Sequence, residues 1–217
     1  MSELARDRIL ARLRSAPRGD APRPEPEPQP PADRRARIER LRGLLESMRA
    51  EVRLVPEPGW IAALQDVLRA RGITTLLYAP ETPLGRAIAA AWSAAPQGLP
   101  ELVPYTEPVE AFKDRVFGLD AGITSAAGAV ADTGAIFLRS AADEPRLMSL
   151  VPPVHIAVLR ADAVYGSLTE AMQAGRWAED MPSNMILVSG PSKTADIELV
   201  LAFGVHGPKE LIVLIVE

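Results

Sequence analysis

The chain has 217 residues, which at about 150 residues per domain predicts one domain with appendages. It has no cysteine and two histidines. This excludes disulfides, thiolate-bound zinc, cysteine-ligated iron–sulfur clusters, a cysteine nucleophile and a three-histidine zinc site. The net charge of −4 argues against broad nucleic-acid binding, and no apolar run is long enough to span a membrane. Residues 1–15 lack the apolar segment of a secretory signal, so we expect a cytoplasmic protein.

The charge and the prolines divide the chain into a leader and a body. Residues 1–55 have a net charge of +4 and the remainder −8. Apolar residues at helical spacing predict a short helix over residues 2–15. Seven prolines within residues 17–31 predict an extended or disordered linker, with a peptide-recognition segment as the alternative. We therefore predict an N-terminal helix and Pro-rich linker over residues 1–32 and an α/β domain over residues 33–217.

Strands and helices are predicted to alternate in the body. Asp33 is expected to cap a basic helix that is either a solvated face or a docking surface. The predicted helices cover residues 33–48, 60–71, 83–92, 109–114, 161–175 and 194–201. The predicted strands cover residues 74–79, 101–105, 116–119, 127–131, 135–138, 154–159, 185–189 and 211–216. This alternation predicts an α/β fold with an open, largely parallel sheet flanked by helices, preceded by the helical and Pro-rich extension.

Two clusters are candidates for chemistry: one combines glycines with hydroxyl groups, and the other places a histidine after two prolines. Gly122-Ile123-Thr124 and Asp132-Thr133-Gly134 could turn backbone N–H groups toward an anion, although a tight turn between two strands also explains the second segment. His155 follows Pro152-Pro153 at the start of an apolar strand. It is either a structural histidine or a site histidine, because strand ends face ligand crevices in open α/β sheets.

The third cluster begins at Ser189 and continues through Gly190–Thr194. A strand, a glycine turn and the start of a helix with serine, threonine and lysine would form an anion cradle, without the spacing of a Walker A loop. Ser192 or Thr194 could instead be only a helix N-cap, with acidic residues in the first turn pairing with the helix dipole. An exposed His206 is expected in the glycine-rich loop before the last strand. The histidines could also meet acidic residues in an acid–base or metal cluster, and the candidates are Asp132, Asp196 and Glu198.

Three segments resemble the lactate-utilisation protein C family, also called the LUD domain. They are GITSAAGAVADTGAI (Gly122 to Ile136), RLMSLVPPVHIAVL (Arg146–Leu159) and the last 37 residues from Met181, which include SGPSKTADIE and GVHGP. The resemblance covers about the last 100 residues strongly and the body from residue 35 loosely. Lys193 stands where relatives often have arginine, and Asp132 where they often have glutamate.

The resemblance implies a NagB/RpiA/CoA-transferase-like fold. It also implies that the chain is a component of a system that oxidises L-lactate to pyruvate together with two iron–sulfur partner proteins. The absence of cysteine fits this role, since no cofactor is then expected on this chain and the clusters are expected on the partners. The ligand would be a small anionic metabolite. We expect the chain to bind no nucleic acid, to span no membrane and to have no metal site. The predicted ligand-binding residues are Gly122, Thr124, Thr133, Gly134, Ser189, Gly190, Ser192, Lys193, Thr194, Asp196 and Glu198.

The family supplies no catalytic residue, so His155, His206 and Asp132 are candidates from the residues alone. Two other functions stay open. One is a stand-alone enzyme acting on a sugar phosphate, CoA ester or folate, although no glutamate stands in the 122–134 cluster to act as a CoA-transferase nucleophile. The other is a non-catalytic module that senses a metabolite or serves as a scaffold.

Overall fold

The computed structural model describes residues 3–15, 33–95, 97–179, 182, 184–195 and 201–217. Contacts divide the chain into two units, Met1–Pro31 and Ala32–Glu217. The predicted linker over residues 17–31 lies outside the described residues. Of the helices in the described part of the chain, none combines the length and the apolar character that crossing a membrane requires.

Most of the helices begin where the sequence predicts them. The Asp33 carboxylate accepts a hydrogen bond from the Ala36 N–H at 2.9 Å and so caps the second helix. Thr82 caps the fourth helix through the Gly85 N–H at 2.9 Å. The helices are α1 (Glu3–Ser15), α2 (Arg34–Ser47), α3 (Trp60–Ala70), α4 (Pro83–Ala94), α5 (Val109–Val116), α6 (Leu147–Leu150) and α7 (Leu168–Ala174).

The strands form a parallel main sheet and two smaller sheets. The strands are β1 (Glu51–Val55), β2 (Thr75–Tyr78), β3 (Glu101–Pro104), β4 (Ala121–Ala126), β5 (Gly128–Val130), β6 (Ala135–Arg139), β7 (Val154–Arg160), β8 (Val164–Tyr165), β9 (Met185–Val188), β10 (Lys193–Ala195), β11 (Leu201–Phe203) and β12 (Glu210–Val216). Among the described residues, the main sheet has the order β1-β12-β7-β4-β2-β3, and all of its pairs are parallel. The predicted α/β fold with a largely parallel sheet is confirmed.

Both faces of the main sheet are covered. One face buries apolar residues of β2, β7 and β12 against α3 and α4. The other buries β7 and β12 against α2 and the second sheet, which has the order β8-β5-β6-β9. Near β2 and β3, α5 and α6 enclose Phe112 and Met148 in a third apolar cluster. Because β12 and β7 lie inside this sandwich, their sequences are almost continuously apolar, as is usual for buried parallel strands.

Three predicted elements of the body are wrong, and one of them is the helix expected over residues 194–201, because Lys193–Ala195 and Leu201–Phe203 are strands. The strand expected over residues 116–119 is not formed, because α5 continues to Val116 and the next strand begins at Ala121. The single helix expected over residues 161–175 is instead a 3₁₀ turn at Ala161–Ala163, then β8, then α7. Gly166 and Ser167 separate the last two, and the Ser167 hydroxyl caps α7 through the Glu170 N–H.

The sequence analysis missed β1, and it predicted the last strand without its position in the sheet. β1 pairs in parallel with β12, so the strand that closes the sequence lies inside the sheet rather than at its edge. The strand predicted over residues 185–189 does form, but it pairs antiparallel with β6 in the second sheet.

Candidate functional site

The strand order of the main sheet reverses between β2 and β4. From β2 the chain passes through α4 to β3 on one side, and from β3 it returns past β2 to β4 on the other. The connections that leave β2 and β4 therefore diverge. In open α/β sheets, ligands bind at the carboxyl ends of the two strands that flank such a switch point.

The loop of residues 140–146 lies over the end of β4 and is held there by Glu144. The Ser125 N–H donates to Glu144 Oε1 at 2.8 Å, and the Ser125 hydroxyl donates to Oε2. Burial raises the pKa of the Glu144 carboxyl above its usual value, against the two hydrogen bonds from Ser125, which lower it. Glu144 therefore fixes this loop at the switch point through a half-buried carboxyl group.

Two cavities adjoin this loop near Arg146. The first, beside Thr124 and Ser125, has about 10 Å³ of space, which is room for about one water molecule. The second has about 390 Å³ and is lined by Ser140, Arg146 and Asn184, among others. The Arg146 guanidinium has no ion-pair partner within the described ranges, and the buried Asn184 Oδ1 accepts no hydrogen bond there. The second cavity can thus offer an anion the guanidinium of Arg146.

Thr124 and His155 form a buried pair inside the sheet. The Thr124 hydroxyl and His155 Nε2 are 2.8 Å apart, on the adjacent strands β4 and β7. His155 is only 1% exposed, and burial lowers the pKa of its imidazole to about 4. The ring is therefore neutral near pH 7 and touches a ligand only through Thr124, which lines the small cavity.

Gly122 is not part of a loop, which corrects the prediction of an anion-binding turn at residues 122–124. These residues belong to β4, and Gly122 pairs with His155 in the sheet. A Cβ at Gly122 would lie 2.2 Å from the Met148 carbonyl oxygen. Glycine is therefore needed here because α6 passes directly over the strand, leaving no room for a ligand at this position.

The predicted turn at Asp132-Thr133-Gly134 joins β5 to β6 and packs on α2. Gly134 has a φ of +64°, and a Cβ there would lie 2.4 Å from Leu44 Cβ. Asp132 pairs with Arg40 Nε of α2 at 3.3 Å. Gly190, which follows β9, approaches Met48 of the same region in a similar way. These contacts favour the interpretation of a structural turn. None of the contacts in the described ranges joins Asp132 to His155 or His206.

The strand–turn–helix cradle predicted at Ser189–Glu198 is also corrected. Lys193–Ala195 is β10, which pairs antiparallel with β11, so the helix does not begin at Thr194. Asp196 and Glu198 lie outside the described residues. The Ser192 N–H donates to the Pro208 carbonyl at 2.8 Å, and the Gly204 N–H donates to the Ser192 carbonyl at 2.9 Å.

This arrangement places Ser192 beside the glycine loop that holds His206. The loop precedes β12, and the Lys209 N–H donates at 2.7 Å to the carbonyl of Pro153, which precedes β7. Ser192 and His206 therefore lie at the amino ends of the parallel strands, opposite the switch point. His206, Lys193 and Ser189 are exposed.

The predicted site residues thus separate into three places: the sheet interior, the turn on α2 and the amino edge. Within the described residues, no three His, Asp or Glu side chains converge as a metal site would require. Sequence reasoning missed Ser125, Glu144, Arg146 and Asn184. Glu144 lies in a polar stretch, Ser140–Arg146, between β6 and α6, and polar loop residues are usually exposed. Ser125, Arg146 and Asn184 fall inside the segments that resemble the family, but no role was assigned to them there.

Comparison with known proteins agrees with this fold. Residues 38–216 match the sequence model of the LUD domain. An uncharacterized protein of Neisseria meningitidis is 35% identical over 182 residues, which cover 82% of this chain and 77% of that protein. A crystal structure of a DUF162 family protein from Deinococcus radiodurans superposes with a TM-score of 0.63 at 21% identity, covering 86% of this chain and all of that one.

Other relatives have a functional name. Lactate utilization protein C of Deinococcus radiodurans is 40% identical over 98 residues, which cover 45% of this chain and 46% of that protein. Lactate utilization protein C of Bacillus licheniformis is 34% identical over 100 residues, or 44% of this chain and 42% of that protein. The chain therefore matches less than half the length of these two relatives.

Proposed function

Because the chain belongs to the LUD domain family, we propose that it is a cytoplasmic subunit of a multi-protein system that oxidises L-lactate to pyruvate. The proposal is supported by relatives named lactate utilization protein C. Oxidation of lactate releases two electrons and two protons. A chain without cysteine cannot hold an iron–sulfur cluster through thiolates, so the clusters would lie on two partner proteins.

The small anionic ligand of this subunit would bind in the cavity lined by Arg146, Ser140 and Asn184. The observation that supports this site best is Arg146, a guanidinium without an ion-pair partner in the described ranges, beside the switch point of the sheet. A carboxylate is the group that a guanidinium binds through two parallel hydrogen bonds.

The role as a subunit is tested by purifying the tagged chain, without air, from its own cells grown on L-lactate. We expect two cysteine-rich proteins, iron and sulfide to co-purify, and the complex to reduce an electron acceptor when L-lactate is added. The isolated chain should not do so. Growth on L-lactate after deletion of the gene, or lactate oxidation by the isolated chain, would contradict the proposal.

Replacement of Arg146 tests the ligand site. We expect Arg146→Ala to weaken binding of L-lactate or pyruvate by at least about tenfold, because a hydrogen bond to a charged group contributes about 1.5–3 kcal/mol. Calorimetric titration of the purified chain or complex with each acid measures the affinity. Arg69→Ala is the matched control, since Arg69 is an exposed arginine of α3 that pairs only within its own helix. Equal affinities for Arg146→Ala and the unmodified protein would rule out the site.

A further inference from the structure

The loop of residues 140–146 lies between two cavities at the carboxyl ends of the parallel strands. One is the cavity of Arg146, of about 390 Å³. The other has about 500 Å³ and lies beside Tyr105, which follows β3. Ala142 and Pro145 line both cavities, whereas the remaining walls differ. The position of this loop therefore decides the shape of the cavity in which Arg146 lies.

Glu144 is the side chain that ties this loop to the main sheet. Its two carboxyl oxygens accept from the N–H and the hydroxyl group of Ser125 in β4, the first at 2.8 Å. Its own carbonyl accepts from the Ala141 N–H at 3.2 Å and so closes the loop on itself. Among the described residues, no other side chain of the loop bonds to β4. Loss of the Glu144 carboxyl would therefore leave the loop held at its two ends only.

The connection from Glu144 to Arg146 is short and stiff. A single residue, Pro145, stands between them, and its ring fixes one backbone dihedral and restricts the residue before it. On the other side, the Arg146 carbonyl accepts from the N–H and the hydroxyl group of Ser149 at 3.2 and 3.0 Å. Ser149 is itself buried in α6. The main chain of Arg146 is therefore held on both sides, and Glu144 supplies the earlier of the two anchors.

The guanidinium of Arg146, in contrast, remains available to a ligand. Within the described ranges it has no ion-pair partner, and both oxygens of the Glu144 carboxyl face Ser125 rather than Arg146. If Glu144 were released from Ser125, its charge would lie two residues from the guanidinium and would compete with an anionic ligand for it. The bonds to Ser125 thus have two effects: they fix the main chain of Arg146, and they keep the nearby carboxyl group occupied.

We propose that Glu144 is a positioning residue for the anion site at Arg146. It does not touch the ligand; it holds the 140–146 loop on Ser125, so that the guanidinium is in place at the cavity before an anion arrives. A ligand then binds without first ordering the loop, and ordering a mobile segment lowers affinity. The role rests on the proposed ligand site at Arg146, but the state of the loop can be measured without a ligand.

Three variants of the full chain distinguish positioning from charge. Glu144→Ala should weaken L-lactate binding by about tenfold, because the loop and the arginine side chain must then be ordered on binding. Its charge alone predicts the reverse, since removing a carboxylate near a bound anion strengthens binding. Glu144→Gln should bind L-lactate at least as tightly as the unmodified protein, because its amide can accept from the Ser125 N–H and donate to the Ser125 hydroxyl. Asp143→Ala is the matched control: it removes an exposed carboxylate of the same loop that has no hydrogen bond to Ser125, and it should not weaken binding.

Calorimetric titration with L-lactate and with L-lactamide, which lacks the carboxylate, separates positioning from a merely structural role. The unmodified protein should bind L-lactate at least about tenfold more tightly than L-lactamide. Glu144→Ala should lose most of this preference, and Glu144→Gln should keep it. A merely structural loss would lower the affinity for both compounds alike.

The loop itself is followed without a ligand, by amide hydrogen exchange and NMR relaxation of the isotope-labelled chain. In Glu144→Ala we expect the Ser125 N–H to exchange at least about tenfold faster and the Arg146 backbone amide to become mobile, while the Ile156 amide in β7 stays unchanged.

Three results would overturn the proposal: L-lactate binding by Glu144→Ala that is as tight as in the unmodified protein or tighter, equal losses for L-lactate and L-lactamide, or unchanged exchange at Ser125. If the unmodified protein bound no L-lactate, the proposed function would lose its ligand. The exchange and relaxation data would then still decide whether Glu144 holds Arg146 in place.

Discussion

Acidification through the range from pH 6.5 to pH 4 is expected to reduce the free energy of unfolding by about 3 kcal/mol through His155 alone. The imidazole has a pKa of about 6.5 in the unfolded chain and about 4 in the folded one, where burial disfavours the charged ring. Between these values the unfolded state binds more protons than the folded state. Acid therefore favours unfolding, so the contribution is complete above pH 6.5 and is lost as the pH falls through 4.

Urea unfolding at a series of pH values measures this effect. Carboxyl groups titrate in the same range, so the comparison is between proteins rather than between pH values alone. His155→Gln keeps a polar side chain that can still bond to Thr124 but does not titrate. We expect its stability to fall much less on acidification, while His206→Gln, which changes an exposed histidine, should follow the unmodified protein. Parallel pH profiles for His155→Gln and the unmodified protein would show that His155 is not buried in its neutral form.

The burial of His155 also bears on its chemical role. A group that is 1% exposed does not contact substrate directly, and its hydrogen bond to Thr124 ties β7 to β4 beside the switch point. His155 is therefore better suited to holding Thr124 in place than to exchanging protons with a ligand. A Thr124→Val variant would leave the imidazole without this partner and should be destabilised by about 1–3 kcal/mol, measured by the same urea unfolding.

Local sequence patterns predicted the elements whose causes are local. Asp33 and Thr82 begin helices because their side chains bond to N–H groups three residues ahead. The turn at Asp132–Gly134 forms as predicted because glycine accepts the positive φ that the turn requires. The alternation of strands and helices was enough to predict the parallel sheet.

The errors arose where partners distant in sequence decide the structure. Thr194 follows a glycine turn and resembles an N-cap, but pairing with Ala202 makes it part of a strand. Gly122 resembles a loop glycine, and only the passage of α6 over β4 explains it. The place of β12 between β1 and β7 depends on the order of the strands, which periodicity does not contain.

The candidate site was missed for a related reason. Glu144 is a charged residue in a polar loop, a position that usually faces solvent. Its burial follows from the two hydrogen bonds to Ser125, 19 residues earlier in the chain. The motif residues predicted to bind a ligand, in contrast, lie largely at the amino edge, inside the sheet, or in the turn that packs against α2. They mark membership of the family more clearly than they mark a ligand site.

Gly122→Ala is expected to lower the free energy of unfolding by about 3 kcal/mol, near the upper end for overpacking a core. The added Cβ would lie 2.2 Å from the Met148 carbonyl oxygen and 3.1 Å from Pro152 Cγ. The nearer atom belongs to the backbone of α6, so a side-chain rotation cannot relieve the clash. The short helix must move away from β4, which opens the apolar cluster around Met148. Urea or thermal unfolding of the purified variant measures the loss.

Gly43→Ala is the matched control for this change. Gly43 lies within α2 on its exposed side, and a Cβ there would have no neighbour within 4 Å. Alanine should therefore raise the stability by about 0.5–1 kcal/mol, because glycine loses more backbone entropy when a helix forms. If Gly122→Ala were as stable as the unmodified protein, α6 would not pack on β4 as described. The result would instead support the prediction from the sequence that residues 122–124 form a loop that binds a ligand.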